Sequence, residues 1–339
     1  MKDGAKAWLF REAIGRLSMK ELLQESSSSW LETGHKEDQI FALAGMATDT
    51  KKLGIKVNCT VAWEKVYTQL AVAYVKRSDL WFLHYCQGTL PGRSLSLPSW
   101  VPDWSEGYRG ALISHHYITP PKHLGTIETD SQPDLQEVDS HGRLRLRGII
   151  VDKIDWVSSE RFPMSVNQLA TSHRRDLYRW IRVATSQCPF QTRRAIWTVM
   201  IANSYKLPLP QEYHEKLTDE EMRGIIDDAF DSILEQDEVE NEKLRLVIEC
   251  YLRCFMQATA WKCIFLTRKG RLGLGHTGIQ RGDHVVAFMG TETAFVIRSL
   301  AVTSSETPRY RIMGESYVHE LMEDQSLKAS AVIEDIILE

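Results

Sequence analysis

Between Trp261 and Arg298 the sequence WKCIFLTRKGRLGLGHTGIQRGDHVVAFMGTETAFVIR repeats with a period of two. Val285, Ala287 and Met289 alternate with Val286 and Phe288, and Ala294, Val296 and Arg298 alternate with Phe295 and Ile297. Such alternation belongs to strands in a sheet buried on one or both faces. Glycines at 270, 273, 275, 278, 282 and 290 interrupt it where the chain is expected to turn or bulge, and Gly290-Thr291 marks a hairpin. The stretch therefore predicts strand, glycine-rich turn, strand, tight turn, strand. Helices and loops elsewhere in the chain are expected to pack against this β body.

At 339 residues the chain can form one large domain or two ordinary ones with ample core. Hydrophobic residues at 43% and charged residues at 25% are the balance of a globular rather than a disordered protein. The net charge of −4 and the lack of a long basic face argue against a nucleic-acid partner. Arg143, Arg145 and Arg147 alternate with leucines and read as the solvated face of one strand. Six cysteines (59, 86, 188, 250, 254, 263) are scattered, and the N-terminus has no apolar signal core. No run approaches the roughly 18 apolar residues of a membrane span. These features point to a cytoplasmic protein with reduced thiols and no membrane partner, in which the Asn58-Cys-Thr60 sequon carries no sugar. Composition does not decide the oligomeric state.

Along the chain, residues 1–35 suggest one or two short helices, with Ser26 to Ser29 as a flexible joint. Asp38 is placed to cap a short helix that Gly45 ends. Trp63, Val66, Tyr67, Leu70, Ala71, Tyr74 and Val75 form one continuous helical stripe. In LPSWVPDWS (97–105) two prolines exclude a helix and predict a rigid extended loop displaying two tryptophans. Leu144 to Val151 predict a strand of the same sheet. Residues 163–260 read as helical, with a Thr218/Glu221 capping box and a stripe that includes Tyr251, Leu252 and Phe255. Val332, Ile333, Ile336 and Ile337 suggest a closing helix. The fold class is α+β: a small, mostly antiparallel β body, barrel- or sandwich-like, preceded by a helical segment and interrupted by a helical insertion. The divisions fall at 1–96, 97–162, 163–260 and 261–339.

Several of these pieces together resemble the heterokaryon-incompatibility (HET) domain proteins of filamentous fungi. KEDQIFALAGMA (36–47), VAWEKVYTQLAVAYV (61–75), LPSWVPDWS, residues 268–298 and YRIMGESYVHELMED (310–324) occur in that family's order. The resemblance covers roughly 36–325. It implies the region following the family's effector segment, whose LWIDALCINQ-like motif has no counterpart in this sequence. Cell-death or nucleotide-cleaving activity attributed to that segment is therefore carried over to no residue here.

The chemistry-bearing motifs are sparse. Gly273-Leu-Gly-His-Thr-Gly278 spells a dinucleotide fingerprint, but a strand rather than a helix follows it, so it reads as a β-turn. Arg281-Gly-Asp283 reads as a hairpin corner. Cys250, Cys254 and Cys263 lack a second matching pair for zinc, and no nucleophile elbow is present. No cofactor or metal motif is found. The best pocket candidate is 98–123, where Trp100, Trp104, Tyr108 and Tyr117 would supply substrate-binding walls and Asp103, His115 and His116 would supply acid–base groups. The competing reading has the tryptophans plugging a junction between helices and sheet, which the family resemblance favours. Two functions follow. One is a HET-like recognition, regulatory or small-molecule-binding protein. The other is a cofactor-independent cyclase or isomerase of fungal secondary metabolism, working on a polycyclic ligand.

Overall fold

The computed structural model describes residues 15–27, 33–88, 93–105, 136–159, 171–202, 224, 242–291, 293–301, 307–319, 321 and 332–339. The N-terminal part contributes helices α1 (Met19–Ser27), α2 (Asp38–Ala44), α3 (Thr50–Leu53) and α4 (Trp63–Val75), then a 3₁₀ turn at Trp81–Tyr85. Strands β1 (Gln136–Val138) and β2 (Leu144–Val157) follow. Helices α5 (Thr171–Gln187), α6 (Arg193–Met200) and α7 (Glu242–Thr259) come next. The chain then returns to sheet with β3 (Lys262–Thr267), β4 (Leu272–His276), β5 (His284–Phe288), β6 (Ala294–Ser299), β7 (Arg309–Val318) and β8 (Glu334–Leu338).

The sheet closes on itself. Its order runs β1-β2-β3-β4-β7-β6-β5, and β5 pairs back onto β2, so β2-β3-β4-β7-β6-β5 form a ring. Every pairing is antiparallel except β7 with β8. The 14-residue β2 makes closure possible because it serves four partners in succession. Its register shifts between Ile150 and Asp152 and again between Ile154 and Trp156. Bulges of this kind bend a strand and increase its twist, as closing a barrel demands.

The period of two becomes inside and outside. Val285, Ala287, Ala294, Val296, Cys263, Phe265 and Met313 belong to one buried cluster, which fills the ring. Their alternates Val286, Phe288, Phe295, Ile297 and Ile312 share a second cluster with the N-terminal helices. Ile264, Leu272, Leu274 and Tyr317 share a third with α5, α6 and α7. The barrel is thus packed on its outer surface by two separate helical layers.

Gly273 shows how the interior is filled. A Cβ built there would lie 2.3, 2.7 and 2.8 Å from three carbons of the Phe265 ring. The phenyl ring occupies the space a side chain would need. Gly273→Ala is therefore expected to lower stability by about 1–3 kcal/mol, the usual cost of overpacking, in a denaturant melt. Adding Phe265→Leu should recover part of the loss. Unchanged stability in Gly273→Ala would show that this ring does not lie against β4.

Several expectations are corrected. Residues 332–337 do not form a closing helix: β8 pairs with β2 and β7, burying Ile336 and Leu338. Open strand edges and β-branched side chains outweigh the weak helical spacing. Gly273 and Gly275 lie within β4 rather than in a turn. The Gln280–Asp283 corner joins β4 to β5, which do not pair with each other, so it is not a hairpin. Asp38 is the first residue of α2, and Glu37 at its N-cap makes no side-chain cap. Ser26 and Ser27 belong to α1 instead of a joint. Thr218 and Glu221 lie outside the described residues.

Candidate functional site

Trp100 and Trp104 face inward, and the loop that carries them displays neither. Trp100 is 0% exposed, packs 6.4 Å from the Phe82 ring and donates its indole N–H to the Gly142 carbonyl at 3.1 Å. Trp104 meets Tyr67 edge to face at 5.3 Å, and Tyr67 donates its hydroxyl to the Lys36 carbonyl at 2.7 Å. Burial, followed by the nearby Asp103 charge, pushes the Tyr67 phenol far above the tyrosine range. Asp103 is buried, and its Oδ1 accepts from the Ser105 amide at 3.2 Å and the Ser105 hydroxyl at 2.6 Å. Tyr108, His115, His116 and Tyr117 lie outside the described residues.

The other side of this loop borders a pocket of about 290 Å³ lined by Arg93, Ser99, His141, Arg143 and Arg311 among others. Its wall is cationic, not aromatic. Arg93 organises the turn: its Nη2 donates to the carbonyls of Leu97 (3.3 Å), Pro98 and Val101 (2.9 Å). Pro98 and Pro102 remove amides from this stretch, and one guanidinium collects the carbonyls that a helix would have used. The Ser99 hydroxyl accepts from the Ile312 amide at 3.1 Å, which pins the turn to β7.

A second constellation joins residues far apart in sequence. Glu315 on β7 faces His84 of the 3₁₀ turn, with Oε2 3.0 Å from Nδ1. Its Oε1 lies 3.7 Å from Lys262 Nζ, which approaches from β3 across β4. The Thr293 hydroxyl is 3.3 Å from the same His84 nitrogen. All three side chains are sealed, with exposures of 7% for His84, 2% for Glu315 and 1% for Lys262. Burial pulls the Lys262 ammonium down from the ordinary lysine range, and Glu315 opposes that pull. Buried charges persist only when paired in this way. Chemically, a carboxylate behind an imidazole fixes the orientation of the ring. His84 also lines a pocket of about 160 Å³ together with Lys20, Asp79, Trp81 and Thr291.

Sequence reasoning identified none of His84, Glu315, Lys262, Arg93 or Arg311. One signal was available. Lys262 and Glu315 are single charges inside otherwise largely apolar strand runs, KCIFL and IMGESYV, where burial obliges a partner. No group of His, Cys, Asp and Glu suited to a metal occurs among the described residues. No helix among them is long and apolar enough to cross a membrane.

With this geometry in view, comparison with known proteins gives two findings. Residues 211–338 match the family model of the Het-6 beta-barrel domain, a span that contains β3 to β8 while β2, which closes the ring, precedes it. The chain is also similar to heterokaryon incompatibility protein 6, OR allele, of Neurospora crassa, with 26% identity over 354 aligned positions. That alignment covers 90% of this chain and 50% of the relative, so the chain spans about half the length of the curated relative it matches. No solved structure matches the chain. A closed barrel where the barrel model matches, together with family-ordered motifs across the helical parts, gives one result: residues 211–338 match the Het-6 beta-barrel domain, and the chain as a whole is similar to fungal heterokaryon-incompatibility (HET) proteins.

Proposed function

We propose that this chain acts as a recognition and regulatory unit of an incompatibility-type protein, engaging another molecule through its outer surfaces. The observation that carries this reading is the filled barrel. Phe265, Val285, Val296 and Met313 occupy the interior, so a ligand has to bind outside the ring. Two helical layers are packed on that exterior, and the buried His84–Glu315–Lys262 network ties the N-terminal one to the barrel. Such a body is suited to holding surfaces in fixed relation. The cyclase or isomerase reading gains no support from the described residues, since Trp100 and Trp104 are spent on the core.

The name of the Neurospora relative, an allele of an incompatibility protein, suggests the test. The chain would be expressed at equal level in an OR-allele strain of Neurospora crassa and in an isogenic strain lacking that gene. Slowed growth in one background alone is the expected result. Equal growth in both, with equal protein present, would remove the recognition reading.

A further inference from the structure

The pocket beside the 93–105 turn is lined by three arginines, Arg93, Arg143 and Arg311, and by one acidic residue, Glu339. Arg143 is matched by Asp139 at 2.7 Å, and Glu339 at the rim is matched by Arg309 at 2.8 Å. Asp103 belongs to the buried loop behind Arg93, with Oδ1 held by Ser105. Arg311 is exposed and has no ion pair or hydrogen bond among the described residues. The Nη1 of Arg93 is buried without a hydrogen-bond acceptor, although Nη2 of the same group serves three carbonyls. Arg93 and Arg311 line the same pocket. Burial lowers the Arg93 pKa most, and Arg311 pushes it the same way while Cys86 and Asp103 resist.

We propose that this pocket is an anion site taking the phosphate or carboxylate group of a small molecule, with Arg93 and Arg311 as its principal donors. The guanidinium plane offers paired donors to such an oxyanion, and an anion between two like charges converts repulsion into attraction. Arg93 is pre-organised by its three carbonyl contacts, so little side-chain freedom is lost on binding. His141 and Arg143 on the β1–β2 turn complete a polar rim. A volume of about 290 Å³ lies at the small end of ligand pockets, which fits a compact anion better than a polycycle. The site stands independently of the recognition reading, because binding is measured on the purified chain.

Inorganic phosphate, pyrophosphate and citrate would each be titrated into the protein by calorimetry, with sodium chloride of equal ionic strength as control. Saturable binding beyond the chloride control is expected for at least one of them, with a matching rise in melting temperature. Arg311→Gln should weaken it about tenfold or more, as loss of a charge-assisted contact does, while Arg311→Lys should retain part of it. Arg145→Gln, on the solvated strand face, should bind like the wild type and so exclude a general loss of charge. A preference for pyrophosphate over citrate would identify phosphate as the group bound, and the reverse would identify carboxylate. No saturable heat and no melting shift up to about 10 mM of any probe would overturn the proposal. So would binding that is equal in wild type and Arg311→Gln.

Discussion

Replacing Glu315 by alanine should destabilise the folded chain by about 3–5 kcal/mol, because it strands a buried ammonium. Lys262 is 1% exposed and loses its carboxylate partner, 3.7 Å away, while His84 loses the group that orients it. The magnitude reflects an uncompensated charge rather than the worth of the ion pair. The double replacement Lys262→Met with Glu315→Leu should therefore recover most of the loss, since two apolar groups leave no charge behind. The single variant should also show a distinctive pH dependence. Burial already depresses the Lys262 pKa, and removing Glu315, its main counterweight, depresses it further. Between that lowered value and the unfolded value of about 10.4, the unfolded chain holds more protons than the folded one. Stability then rises with pH. The deficit of Glu315→Ala should accordingly shrink as pH is raised from about 7 toward about 10. A deficit that is flat across this range, or a double variant no better than the single, would mean that Lys262 is not the group left stranded.

Trp100→Ala should have a loss of the same order, about 3–5 kcal/mol, as is usual for deleting a buried aromatic ring. The ring is fully enclosed against Phe82, and its N–H holds the Gly142 carbonyl at the β1–β2 turn. Trp100→Phe should be milder, keeping much of the packing and giving up that hydrogen bond. Chemical denaturation of both variants distinguishes the two roles considered for this residue. Wild-type stability in Trp100→Ala would place the side chain outside the core and return it to ligand lining. A large loss would account for the tryptophan without any ligand.

The strands Lys262–Thr267, His284–Phe288 and Ala294–Ser299 were legible because a barrel strand repeats its environment every second residue. Apolar residues on both parities, as in His284–Phe288 and Ala294–Ser299, announced a sheet buried on one or both faces, and the structure covers it on two sides. The helix at Trp63–Val75 was legible for the corresponding reason at a period near 3.6. Residues 332–339 were not, because a five-residue strand is too short for its period to stand out, and the open edges that capture it belong to β2 and β7. The glycines of β4 misled in a similar way. Their role depends on a phenyl ring presented by another strand.

The candidate sites follow the same division. Local rules in the sequence determined the α+β class, the split of the β body around helices and the motif order of the family, since propensity and periodicity act between near neighbours. Closure of the ring through β2 and β5, the inward turn of Trp100, the meeting of His84 with Glu315 and the shared pocket of Arg93 and Arg311 were decided by tertiary structure alone. His84 and Glu315 are 231 residues apart, and no local spacing encodes such an encounter. Only a closed sheet with a helical layer folded onto it brings those side chains together and removes the water that would otherwise have solvated them.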